Sequence, residues 1–201
     1  MPDGFPQMLR SDARDNRDRI LDAARAVFAA EGLDAPMREI ARRAGVGPAT
    51  LYRRFPTKEL LVTEAFTDQM RACYTIVDEG LADPDPWHGF RLVIEQLCEL
   101  HARDRGFTAA LMSTFPTTLD FTADREQALR SLARLTRRAR DTGHLRPDVT
   151  FDDVLLVIMA NSGLRTSSPA AGIAASRRFA ALALQGLRAA PDALPLPPPP
   201  R

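Results

Sequence analysis

Apolar side chains recur at helical spacing along almost the whole chain, and no strand-type alternation is sustained anywhere. From Asn16 the series Ile20, Leu21, Ala24, Val27 and Phe28 follows the i, i+3/i+4, i+7 rule. It predicts a first helix with Asn16 as N-cap and Gly32 as its stop. A second helix, about 36 to 44, opens on Pro36 and ends at Gly45. Pro48 stands in the first turn of a third helix, with Gly47 as its cap, and Phe55-Pro56 stops that helix because a residue before proline avoids the helical region. Thr57 caps a fourth helix, read as one long element through Leu61, Ala65, Phe66, Met70, Cys73, Tyr74 and Val77 to the turn Asp83-Pro84-Asp85-Pro86.

Beyond that turn, Trp87, Phe90, Ile94, Leu97, Cys98 and His101 mark a helix to about Arg105, followed by a short one ending at Pro116. A basic amphipathic helix covers about 122 to 142, with Leu129, Leu132, Leu135 and Ala139 on one face. Thr150 to Asp153 reads as a capping box opening the apolar run Val154 to Ala160, and a last helix rich in small residues covers about 171 to 189. The expectation is an all-α chain of about nine helices. It divides into a flexible arm at 1–15, a helix-turn-helix domain at 16–60, a helical regulatory and dimerisation domain at 61–190, and a disordered proline-rich tail at 191–201.

Charge singles out one part of this pattern. The net charge is +1, so any nucleic-acid surface must be local. Between Arg38 and Lys58 lie six cations (Arg38, Arg42, Arg43, Arg53, Arg54, Lys58) and one acid, Glu39. Small Ala41, turn residue Gly45 and inward Leu51 give the same stretch the steric pattern of a helix-turn-helix. An α-helix fits the major groove, where side chains read base edges and hold phosphates. The candidates for contact are Pro48, Ala49, Thr50, Tyr52, Arg53 and Arg54 on the third helix, Arg38 on the second, and Lys58. Lys58 is the only lysine, and it stands at a helix N-terminus suited to a phosphate. Arg14, Arg17 and Arg19 are further phosphate candidates, but Asp12, Asp15, Asp18 and Asp22 among them favour a solvated face.

Residues 16 to 66 resemble the DNA-binding domain of the tetracycline-repressor-like (TetR) family. The resemblance rests on Ile20-Leu21, Ala23-Ala24, Phe28, Gly32, Ile40 to Val46, Leu51 to Phe55, Lys58 and Leu61, in order and spacing. Two departures fall in the reader: Ala35-Pro36-Met37 stands where the family often has Thr or Ser, and Gly47 and Ala49 where it often has Ser and Gly. The lost hydroxyls mean that an operator sequence is not transferable from relatives. The resemblance implies a homodimeric transcriptional regulator, a repressor released from a palindromic double-stranded DNA operator by a small-molecule effector. The alternative is an effector-independent dimeric DNA-binding protein whose second domain only dimerises.

For the effector, apolar and soft side chains supply candidate walls: Phe66, Met70, Trp87, Phe90, Ile94, Met112 and Phe115, with His101 and Asn161 as polar groups. Taken alone, each of them reads first as ordinary core. The two final helices are the expected dimer surface, with small residues permitting close packing. Nothing points to an enzyme, a cofactor or a metal. His88, His101 and His144 lie on separate segments, and no HExxH, GxSxG or phosphate-loop pattern occurs. Cys73 and Cys98 are isolated, as expected of free thiols in a reducing cytoplasm. No apolar run approaches the roughly 18 residues of a membrane span.

Overall fold

The computed structural model describes residues 5–112 and 122–198. Among them lie ten α-helices and no strand: α1 Phe5–Glu31, α2 Met37–Ala44, α3 Pro48–Arg54, α4 Lys58–Ala65, α5 Thr67–Ala82, α6 Pro86–Arg103, α7 Arg105–Met112, α8 Thr122–Asp141, α9 Phe151–Ser162 and α10 Pro169–Leu187. The all-α expectation holds. The tenth helix arises because the long fourth helix of the sequence reading is two.

That break has no proline or glycine, and its cause is a set of hydrogen bonds. Thr63 Oγ1 donates to the Glu59 carbonyl and Thr67 Oγ1 to the Thr63 carbonyl, each at 2.9 Å. Such back-bonding to the preceding turn bends a helix. At the bend, Arg25 Nη1 takes the Ala65 carbonyl at 2.9 Å, which would otherwise accept the N–H four residues on. Phe66, at the junction, is buried.

Two compact units result: Met1–Asp68 with Arg105–Leu119, and Gln69–Asp104 with Asp120–Arg201. In the first, α1 packs on α2, α4 and α7. Its core holds Ile20, Val27 and Phe28 of α1, Ile40 of α2, Leu51, Phe55 and Leu61. The Phe66 ring lies between Phe28 and Phe107, with centroids 6.1 and 6.0 Å away. Helix α7 approaches α1 so closely that a Cβ at Gly106 would stand 3.0 Å from the Ala29 backbone nitrogen. Helix α1 starts at Phe5, so Asn16 lies inside it rather than capping it, and the Asn16 side-chain oxygen accepts from Arg19. The stretch expected as a flexible arm is helical from Phe5 onward.

In the second unit, α6 packs on α8, α9 and α10. Asp85 caps α6 by accepting from Trp87 and His88 N–H groups, and the Thr150–Asp153 capping box opens α9 as read from sequence. The α5–α6 turn is drawn tight by two glycines: a Cβ at Gly80 would fall 2.2 Å from Val93, and one at Gly89 would fall 2.2 Å from the Gly80 carbonyl oxygen. The proline-rich tail is tied down in part, contrary to expectation. Arg146 forks onto Asp148 at 2.9 and 2.8 Å and also donates to the Leu194 carbonyl, while the Leu196 N–H donates to Asp148 at 2.9 Å. The Ala189 N–H reaches the His144 carbonyl at 2.8 Å.

Candidate nucleic-acid interface

The turn between α2 and α3 is built from backbone bonds. Gly45 has φ +66°, a left-handed conformation open to glycine at little cost. Its N–H meets the Arg42 carbonyl at 3.2 Å, and the Val46 N–H meets the Ala41 carbonyl at 3.0 Å, the paired closure of a Schellman stop. Arg19 adds a side-chain cap, donating to the Ala44 carbonyl at 2.6 Å. Pro48 then opens α3, with Gly47 as its extended cap.

Helix α3 turns Leu51 fully inward and leaves Pro48, Ala49, Tyr52, Arg53 and Arg54 exposed, with Thr50 half-buried. Tyr52 is 50% exposed, unusual for a ring of that size. Phe55 is completely buried. On α2, Arg38 and Arg43 are exposed, and neither they nor Arg53 has an acidic partner among the described residues. The single acid, Glu39, is consumed by Arg42 through a two-pronged contact at 2.8 and 2.5 Å. That contact holds the Glu39 carboxyl below the usual carboxylate range. The exposed face of α2 and α3 is therefore positive and carries no unneutralised carboxylate.

Lys58 is committed on one side. Its Nζ donates to the Leu33 carbonyl at 3.0 Å, tethering the α1–α2 loop to the start of α4. An ammonium has three N–H groups, so two remain for a phosphate. Thr57 caps the same helix by accepting from the Leu60 N–H at 3.2 Å. Three arginines of α1 are engaged by neighbouring helices instead: Arg17 pairs with Glu64, Arg19 caps α2, and Arg25 holds Ala65. Sequence gave no sign of this, since the partners lie on other helices. The Arg14 side chain lies outside the described residues.

Two family models match the chain. Residues 20–65 match "Bacterial regulatory proteins, tetR family", and residues 85–189 match "Transcriptional regulator SbtR-like, C-terminal domain". The chain belongs to the TetR family of transcriptional regulators. It is 27% identical over 197 residues to the HTH-type transcriptional regulator UidR of Escherichia coli, covering 90% of this chain and 93% of that protein. It is 34% identical over 111 residues to the HTH-type transcriptional repressor KstR of Rhodococcus jostii, covering 53% of this chain and 51% of that one. The crystal structure of the TetR transcriptional regulator SCO0520 from Streptomyces coelicolor superimposes with a TM-score of 0.54 at 33% identity, over 86% of this chain and 98% of that one. This TetR-family regulator is thus a DNA-binding protein whose α2–α3 pair is the helix-turn-helix.

The candidate effector residues of the regulator are dispersed. Phe66 belongs to the first unit, in the core with Phe28 and Phe107. Met70, Phe90, Ile94, His101 and Asn161 are buried in the second. Half-buried Trp87 stacks on Phe90 and on His144, with centroids 5.9 and 6.1 Å away. The Met112 side chain and Phe115 lie outside the described residues. Asn161 is engaged within the fold. Its Nδ2 donates to the Cys98 carbonyl at 2.9 Å, and Ser176 Oγ sits 2.8 Å from both that carbonyl and Asn161 Oδ1. This network joins α6, α9 and α10. His101 is buried, and desolvation lowers its pKa to about 4, so the ring is neutral near pH 7. Burial pushes the thiols of Cys73 and Cys98 up to about 12, which leaves them unreactive. Among the described residues no helix is long and apolar enough to cross a membrane.

Proposed function

We propose that the protein acts in the cytoplasm as a homodimeric repressor, held on a palindromic operator by two copies of α3 and released by a small-molecule effector bound in the second unit. The observation that carries the DNA half of this reading is the exposed face of α2 and α3, whose one acid, Glu39, is neutralised by Arg42, with Tyr52, Arg53 and Arg38 outward and Leu51 inward. A single reader of this size makes few phosphate contacts, so two on adjacent half-sites are the ordinary route to tight binding. Support for the dimer comes from α9 and α10. Leu156, Met159 and Leu182 are 56%, 54% and 57% exposed, although α9 and α10 pack on each other. A second copy is the occupant that would take these side chains out of water.

A specific observation favours the second reading, a dimer that needs no effector. The polar groups of Asn161 are taken up by Cys98 and Ser176, and Phe90 and Ile94 have no exposed surface. Mobility-shift titration on the promoter DNA flanking the protein's own gene, with and without a panel of apolar and aromatic metabolites, separates the two. A compound that lowers affinity establishes the effector. An affinity indifferent to every compound leaves the effector-independent dimer, and no shifted band at all overturns both.

A further inference from the structure

Helix α8 carries arginine at positions 130, 134, 137 and 140, a spacing that keeps all four on one side of the helix over about 15 Å. They line an open groove of about 570 Å³ in the second unit, which Thr150 and Phe151 at the start of α9 also line. No aspartate or glutamate lines this groove. Its outer arginines are held: Arg130 by Glu126 at 3.4 Å and Gln127 at 3.1 Å, and Arg140 by the Val149 carbonyl at 3.4 Å. The inner two, Arg134 and Arg137, are exposed and have no acidic partner among the described residues. Elsewhere in the unit Arg91, Arg103, Arg146 and Arg177 meet carboxylates, while Arg71, Arg178 and Arg188, which like Arg134 and Arg137 have no ion pair among the described residues, line neither this groove nor the one along α6 and α10. A second groove of similar size, along α6 and α10, neutralises itself, because Glu99 there is gripped by both Arg103 and Arg177.

We propose that the α8–α9 groove binds a small molecule bearing a phosphate or diphosphate group, with Arg134 and Arg137 as the anion clamp and Phe151 against its organic part. Two guanidinium groups one turn apart repel each other, and a phosphate between them converts that repulsion into forked, charge-assisted hydrogen bonds. Guanidinium geometry matches phosphate better than a point charge does. The volume is that of a small-molecule site, and the groove is open to solvent along one side. The start of α9 contributes little, because Asp152 and Asp153 occupy its first turn and Asp153 is engaged by the Thr150 cap. The site is separate from the apolar core proposed for an effector, and it stands whether or not that effector exists.

The test is calorimetric titration of the full chain with inorganic pyrophosphate and with ADP at fixed ionic strength. One saturable site per chain is expected, with ADP the tighter ligand because of Phe151. The double variant Arg134→Gln/Arg137→Gln, on exposed positions, should weaken both by at least about tenfold. The corresponding double lysine variant should recover part of the loss, and Phe151→Ala should abolish the advantage of ADP. A reader variant, Arg38→Gln/Arg53→Gln, should change neither titration. Absence of saturable binding up to about millimolar probe overturns the proposal. So does binding that the reader variant removes, or a groove variant that weakens duplex DNA binding and leaves both probes untouched. Equal affinity for pyrophosphate and ADP overturns the role of Phe151.

Discussion

Arg25 of α1 donates to the carbonyl of Ala65, and that bond stands where one helix ends and the next begins. Removing the donor while keeping the aliphatic stem, as in Arg25→Met, leaves the carbonyl to recapture its own helical partner or to go unpaired. A loss of about 1–3 kcal/mol is expected, since the bond is charge-assisted and half-buried. Urea denaturation measures it. A variant as stable as the parent would show that the bend does not depend on Arg25.

On the reader, Arg53→Ala and Tyr52→Ala should weaken operator binding without changing the melting temperature, because both side chains are exposed. For Arg53 a cost of about 1–3 kcal/mol fits a forked base contact, and a reduced salt slope with equal loss on all sequences fits a phosphate contact. Fluorescence anisotropy at several salt concentrations distinguishes them. Lys58→Met should differ from both in lowering stability as well, because it also cuts the tether to Leu33.

The exposed apolar side chains of α9 and α10 give a third expectation. Leu156→Glu combined with Leu182→Glu should yield a monomer by sedimentation equilibrium, with helicity retained, since each side chain is more than half exposed in the single chain. Operator affinity should fall by orders of magnitude, the two readers no longer being linked. A dimer unaffected by both charges would place the interface elsewhere.

Stability should depend on pH through His101. Its folded pKa is lowered to about 4 from 6.5 by burial. Between those values the unfolded chain holds a proton that the folded chain does not, so stability is complete above pH 6.5 and is lost as pH falls toward 4. The full effect is roughly 3 kcal/mol. His101→Gln should flatten the denaturation midpoint over that window, whereas a slope identical to the parent's would remove His101 as its source.

How far the sequence revealed this molecule depends on the reach of each interaction. Gly45, Pro48, Leu51, Phe55 and Thr57 were readable because a helix stop, a helix start and an inward face are decided within a few residues. The break at Phe66 was not, because one of the donors that hold it sits forty residues earlier, on another helix. The anchored tail escaped notice for the same reason: Arg146 and Leu194 are 48 apart, and composition alone reads such a segment as free. Asn161 looked available to a ligand because its partners, Cys98 and Ser176, lie 63 and 15 positions away. Within the reader, the outward residues followed from helical period, while the partners of Arg17, Arg19 and Arg25 needed the neighbouring helices.

Lys58 has one more consequence. Every other basic side chain apart from histidine is arginine, so Nζ of Lys58 is the molecule's only side-chain primary amine. Amine-selective acylation of side chains is therefore confined to the tether between the α1–α2 loop and α4. An acyl group there cancels the charge and leaves a single N–H to divide between Leu33 and a phosphate. One covalent event at one atom would touch the hold on DNA and the brace of the reader together, and a fluorophore placed there would report on both.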